Sequence, residues 1–154
     1  MKKVLVVGAF ALLVGAPFAA APVLGRVLLG GINSAGGVAA PAISAGILAL
    51  YRAAAAACPG LDWRVLAAIG TVESDNGTSP LPGVHSGQNP AGAEGPMQFE
   101  PASFLEYARP VPPGGADPPS PYDPVDAVYA AARMLCANGA GGVSGVAGAV
   151  FAYN

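Results

Sequence analysis

Lys2 and Lys3 precede an uncharged, mostly apolar run from Val4 to Gly25 that is closed by Arg26, and this leader constrains everything that follows it. A basic start, an apolar stretch and small residues at Ala19, Ala20 and Ala21 make the pattern of an export signal. The run is also about long enough to span a bilayer, so removal by a signal peptidase and retention as an anchor in the cytoplasmic membrane are both open. In either case the lysines stay on the cytoplasmic side, and the rest of the chain is delivered to an extracytoplasmic compartment that permits disulfides. Residues 26–44 mix small and apolar residues with Gly and Pro and read as a linker. Residues 45–154 are then enough for one small domain.

Two cysteines, Cys58 and Cys136, allow a single intramolecular pairing. Such a bond closes a loop of roughly 80 residues, worth about 4 kcal/mol in the loop-entropy description; the alternative is a pair of buried free thiols. His85 is the only histidine and no Cys-x-x-Cys occurs, so neither a metal nor a cofactor is expected. Charged residues are 10% of the chain and the net charge is -2. No basic surface can follow from that, and nucleic acid drops out as a partner. Hydrophobic residues reach 53%, but many are alanines, which favour helix while adding little apolar area. The core is expected to be thin.

Residues 46–57 (GILALYRAAAAA) read as a helix stopped by Cys58, Pro59 and Gly60. Asp62 can cap a second helix at 63–74 (WRVLAAIGTVES), in which Val65, Leu66, Ile69 and Val72 recur at helical spacing. A Gly- and Pro-rich loop covers 75–96, a length that marks a functional or disordered segment. A short helix over 102–108 follows Pro101, and the proline-dense stretch 109–124 reads as an extended surface flap. Asp123 or Asp126 starts the next helix, with Val125, Val128, Tyr129, Ala132, Leu135 and Cys136 along one side and Gly139 at its end. Ser144 begins a last helix carrying Val146, Val150, Phe151 and Tyr153. No segment alternates with period two, so the chain is expected to be all-α, with about five helices and two long loops.

Glu73 falls seven residues after Leu66 and four after Ile69, which places it on the same apolar stripe. Desolvation and the negative end of the helix dipole both disfavour its anion, so its pKa should rise. A carboxylic acid that keeps its proton near neutrality can protonate a glycosidic oxygen. The bland alternative is a solvated residue at a frayed helix end.

Three separated segments carry a resemblance to the lytic transglycosylases of the goose-type lysozyme-like (SLT) superfamily, in particular the small exported actinobacterial type. In WRVLAAIGTVESDNG (63–77), Glu73 and Ser74 match the family's Glu-Ser pair at a helix end. GAEGPMQFEP (92–101) is similar to the Gly-Leu-Met-Gln segment, with Pro96 where leucine is usual, and AVFAYN (149–154) to the Ala-x-x-Tyr-Asn helix. The resemblance implies a lysozyme-like helical domain that cleaves peptidoglycan glycan strands. It makes Glu73 first the general acid and then the general base, with Ser74 shaping that end of the cleft. It makes Met97, Gln98 and Phe99 the walls against an N-acetyl sugar, Tyr153 the hydroxyl that holds or polarises the carboxyl of Glu73, and Asn154 a support for that arrangement. Ordinary core for Met97 and Phe99, a packed helix-end aromatic for Tyr153 and a solvated Gln98 are the competing readings. Family members run on past the Tyr-Asn pair, so a C-terminally incomplete domain is also open.

Most glycosidases use two carboxyl groups, whereas substrate-assisted families manage with fewer. Asp75, Glu94 and Glu100 lack a clear partner role here. The resemblance therefore implies cleavage between N-acetylmuramic acid and N-acetylglucosamine with closure of an anhydro ring. Hydrolysis by a muramidase, and a non-catalytic peptidoglycan-binding scaffold, are the alternatives.

Overall fold

A computed structural model describes residues 42–142 and 145–153, all within a compact unit that spans Val38–Asn154. The leader at 1–25 and most of the linker lie outside the described residues, as do Ser144 and Asn154. Among the described residues there are five helices: α1 (Ala45–Ala56), α2 (Trp63–Ser74), α3 (Pro101–Tyr107), α4 (Pro124–Ala137) and α5 (Val146–Tyr153). The all-α expectation holds, and the only strand-like pairing among these residues is a single bridge between Glu94 and Phe99. No helix among them is long and apolar enough to cross a membrane.

Side-chain caps set the helix starts. Ser44 Oγ accepts the Ile47 amide at 3.3 Å, and Asp62 Oδ1 accepts the Arg64 amide at 2.9 Å. Asp123 Oδ1 accepts the amides of Val125 (2.8 Å) and Asp126 (3.2 Å) ahead of Pro124 at the first helical position. Asp123 is therefore the cap of α4, and Asp126 has a different task. It is fully buried, and its Oδ2 accepts the amides of Ala116 (3.1 Å) and Ser120 (2.9 Å). The proline-dense stretch is thereby pinned instead of standing free as a flap. The Arg133 guanidinium adds bonds to the carbonyls of Tyr107 (2.9 Å) and Pro110 (2.6 Å), and the Tyr122 hydroxyl donates to the Gly87 carbonyl at 2.7 Å.

α4 packs against each of the other four helices. Ala54, Ala55, Ala67, Ala127, Ala130, Ala131, Ala132 and Ala149 are all buried, so the helices approach closely through small side chains. Tyr51, Leu66, Met97, Phe99, Phe104 and Leu135 are the large side chains buried among them. Cys58 and Cys136 form the expected disulfide, with Cα atoms 5.7 Å apart, joining the end of α1 to the last turn of α4.

α2 has two working faces. Leu66, Ala67, Gly70 and Ser74 are buried in the core. Val65, Ala68, Val72 and Glu73 instead line an open groove, and Val72 is 83% exposed. The sequence stripe that grouped Leu66 with Val72 and Glu73 thus straddles core and groove, because adjacent helical rows cannot be told apart by spacing alone.

Candidate active site

Glu73 sits in the last turn of α2, and the chain immediately after it is in an uncommon conformation. Asp75 and Asn76 both take left-handed backbone angles (φ 52° and 58°). These two residue types tolerate that region best after glycine. The turn satisfies the free carbonyls of the helix end: the Asp75 amide donates to Thr71 at 3.0 Å and the Asn76 amide to Gly70 at 2.8 Å. Ser74 is buried and does not line the cleft. Its hydroxyl donates to the Pro96 carbonyl at 2.6 Å and accepts the Gly77 amide at 2.8 Å. Ser74 therefore ties the helix end to the second motif segment.

That segment is a tight hairpin. The amides and carbonyls of Glu94 and Phe99 pair reciprocally at 2.9 Å, and the turn needs Gln98 at φ 48°. Gly95 lies against the Pro121 carbonyl so closely that any Cβ would collide with it. The Gln98 amide nitrogen donates to the Gly95 carbonyl at 2.7 Å while its Oε1 accepts from Asn89 Nδ2 at 2.8 Å. Asn89 in turn accepts the amides of Ala91 (2.8 Å) and Ala93 (2.9 Å) through Oδ1. The loop 75–96 is therefore held by directed bonds.

Two clefts meet at Glu73 and Tyr153. One, of ≈ 410 Å³, is polar and is lined by Asn89, Gln98, Phe99, Glu100 and Ser103. The other, of ≈ 420 Å³, is apolar and runs between α2 and α5 past Val65, Ile69, Val72, Val146 and Val150. Glu73 is half-buried, burial holds its carboxyl above the usual glutamate range, and among the described residues that carboxyl makes no hydrogen bond. Burial likewise pushes the Tyr153 phenol well up, with the negative charge of Glu73 adding to the effect.

No hydrogen bond among the described residues joins Tyr153 to Glu73, although the charge of Glu73 bears on the phenol. Its hydroxyl donates to the Met97 carbonyl at 2.8 Å, and its ring meets Phe99 edge-on at 5.6 Å. Met97 itself is buried and faces away from both clefts, so it contributes its backbone and its share of the core, not a cleft wall. Gln98, Phe99 and Tyr153 do gather with Glu73 around the polar cleft. Asn89, Glu100 and Ser103 join them without having been marked as site residues in the sequence. For Asn89 a signal existed, since Asn ahead of Pro90 and Gly92 is a turn former whose side chain bonds its own backbone.

The family model for the transglycosylase SLT domain matches residues 51–154. The chain belongs to this family. No curated protein and no solved structure matches the chain. The matched span of the SLT domain runs from Tyr51 in α1 through Glu73 and the hairpin to Asn154. Membership makes it a transglycosylase-type domain of lysozyme-like fold, with peptidoglycan as its substrate class and the cell wall as its place of work, and the disulfide is consistent with that compartment.

Proposed function

We propose that the protein is a lytic transglycosylase with Glu73 as its single acid and base. Protonated Glu73 donates to the oxygen that links N-acetylmuramic acid to N-acetylglucosamine, and the bond from that oxygen to the muramic acid C1 breaks. The substrate's own N-acetyl oxygen supports the cation. Glu73, now a carboxylate, removes the proton of the C6 hydroxyl, whose oxygen closes the 1,6-anhydro ring and leaves Glu73 protonated for the next cycle. No water is consumed.

The supporting observation is the position of Glu73: a half-buried carboxyl without a hydrogen-bond partner among the described residues, at the junction of two clefts, and held toward its acid form by burial. Tyr153 fits this role. Because its own hydrogen goes to Met97, its oxygen is left as an acceptor, able to favour the protonated carboxyl. Gln98 and Asn89 offer the remaining amide valences to a sugar N-acetyl group. Mass spectrometry of muropeptides released from purified peptidoglycan is the test. Anhydromuramic ends are expected, and exclusively reducing ends would overturn the lytic step.

One observation favours weighing hydrolysis beside it. Glu100 lines the polar cleft with Glu73, and although it stands at the start of α3 its side chain makes no capping bond. It is thus free to act as the base that a two-carboxylate hydrolysis needs. Turnover by Glu100→Gln separates the readings: it persists in the lytic scheme and is lost in the hydrolytic one. The run 4–25 is proposed as the export signal or membrane anchor, and N-terminal sequencing of the protein recovered from cells distinguishes these fates.

A further inference from the structure

At the helix end that carries Glu73 lies a chain of three hydrogen bonds whose residues line neither of the two clefts. The Tyr51 hydroxyl donates to Asn76 Oδ1 at 2.9 Å, Asn76 Nδ2 donates to Thr71 Oγ1 at 3.1 Å, and the Thr71 hydroxyl donates to the Ala67 carbonyl at 2.8 Å. The polarity is consistent along its length, which lets each bond strengthen the next. Tyr51 is 1% exposed, and burial raises its phenol to about 12, so it remains a donor throughout the working range. Its hydroxyl occupies the position where any Cβ at residue 70 would stand, which is why that turn of α2 carries glycine. Asn76 is at the same time held at φ 58°, a conformation that asparagine tolerates but that its bond to Tyr51 helps to fix. A left-handed turn three residues after a candidate acid, tied to a buried tyrosine from another helix, is a device for holding position.

We propose that the Tyr51–Asn76 bond is a latch that positions Glu73, fixing the last turn of α2 so that its carboxyl stays at the cleft junction. This rests on the reading of Glu73 as the acid. Tyr51 touches no substrate; it acts through the helix end.

Two variants test the latch with little disturbance. Tyr51→Phe keeps the ring and removes only the hydroxyl. Asn76→Gly keeps the left-handed turn, which glycine adopts freely, and removes only the side chain. Each is expected to lower kcat on glycan strands roughly tenfold, with KM changed by less than about twofold. Both are also expected to move the alkaline limb of the pH profile to lower pH, since a loosened helix end admits water to Glu73. The other ionisable groups facing Glu73 are Tyr153 from α5, Glu100 across the polar cleft, and Asp62 and Arg64 along the apolar one; neither variant replaces them, and the charge of Tyr51 bears on Tyr153 only where the Tyr51 phenol ionises, at about 12. The double variant should be no worse than Asn76→Gly alone, because that variant already removes the bond that Tyr51→Phe removes.

Unchanged kcat and pH limb beside a lower melting temperature would reduce the contact to fold stability and overturn the proposal, as would additive losses in the double variant. A carbon-13 NMR titration of the Glu73 carboxyl in the wild type and in Tyr51→Phe reads the latch without turnover. A downward shift in the variant supports positioning even if no activity is found, in which case the lytic reading alone falls. Identical titrations with active enzyme overturn the latch alone.

Discussion

At the level of single residues, the protonation state of Glu73 links stability to activity. Burial makes the folded protein hold this proton more tightly than the unfolded chain does. The folded state therefore binds more protons in the window between the two values, and stability falls as pH rises through it. Glu73→Gln removes that penalty. The variant should melt higher than the wild type at neutral pH and alike below about pH 4, where both states carry the proton, as thermal melts across a pH series will show. Its turnover should fall at least about hundredfold, the usual contribution of a positioned general acid, and undiminished release of muropeptides would remove Glu73 from the chemistry. Wild-type activity should be lost on the alkaline side, at a pH above the ordinary glutamate value. Ser74 makes a separate prediction. Alanine there leaves the Gly77 amide and the Pro96 carbonyl without the hydroxyl that joins them, which should cost about 1–3 kcal/mol in urea unfolding and lower kcat by detaching the hairpin.

At the level of elements, the hairpin 94–99 shows how a backbone requirement passes from one loop to another. Gly95 takes φ 76° and abuts the Pro121 carbonyl, while the Pro121 segment is held through Ser120 by the buried carboxylate of Asp126 on α4. The cleft wall is therefore supported from α4 across the proline-dense stretch. Gly95→Ala should destabilise the fold by about 1–3 kcal/mol, the usual cost of overpacking, and should lower turnover by displacing Gln98. Equal urea midpoints and equal kcat would show the contact to be relaxed at no cost. The same support explains why 109–124 is not the free flap that its proline content implied: proline stiffens a chain, but the partners of the intervening amides decide whether it lies down.

For the whole molecule, the small size of the core gives the disulfide its weight. So many core positions are alanine that each helix contact buries little apolar area. A bond between residues 78 positions apart then carries a large share of the net stability. Replacing Cys58 and Cys136 by serine should remove about 4 kcal/mol, measured from the urea midpoint, and a smaller loss would mean that the unfolded chain is already compact. Because neither cysteine lines the two clefts that meet at Glu73, the folded fraction of that variant should retain its kcat.

The helix start at Asp62, and a start of α4 at Asp123 or Asp126, were legible from capping chemistry and local periodicity, as were the all-α class, the single possible cysteine pairing and Glu73 as the odd carboxyl among apolar neighbours. These depend on residues within a few positions of one another, or on a count. Which side of α2 faces the core was not legible, nor that Met97 turns inward while its carbonyl takes the Tyr153 hydroxyl, nor that Asp126 pins a loop instead of capping a helix. Each of those outcomes depends on a partner 6 to 56 residues away, and spacing along a chain contains no record of what packs across from it. Only the assembled core, with α4 at its centre, decided where those side chains could go.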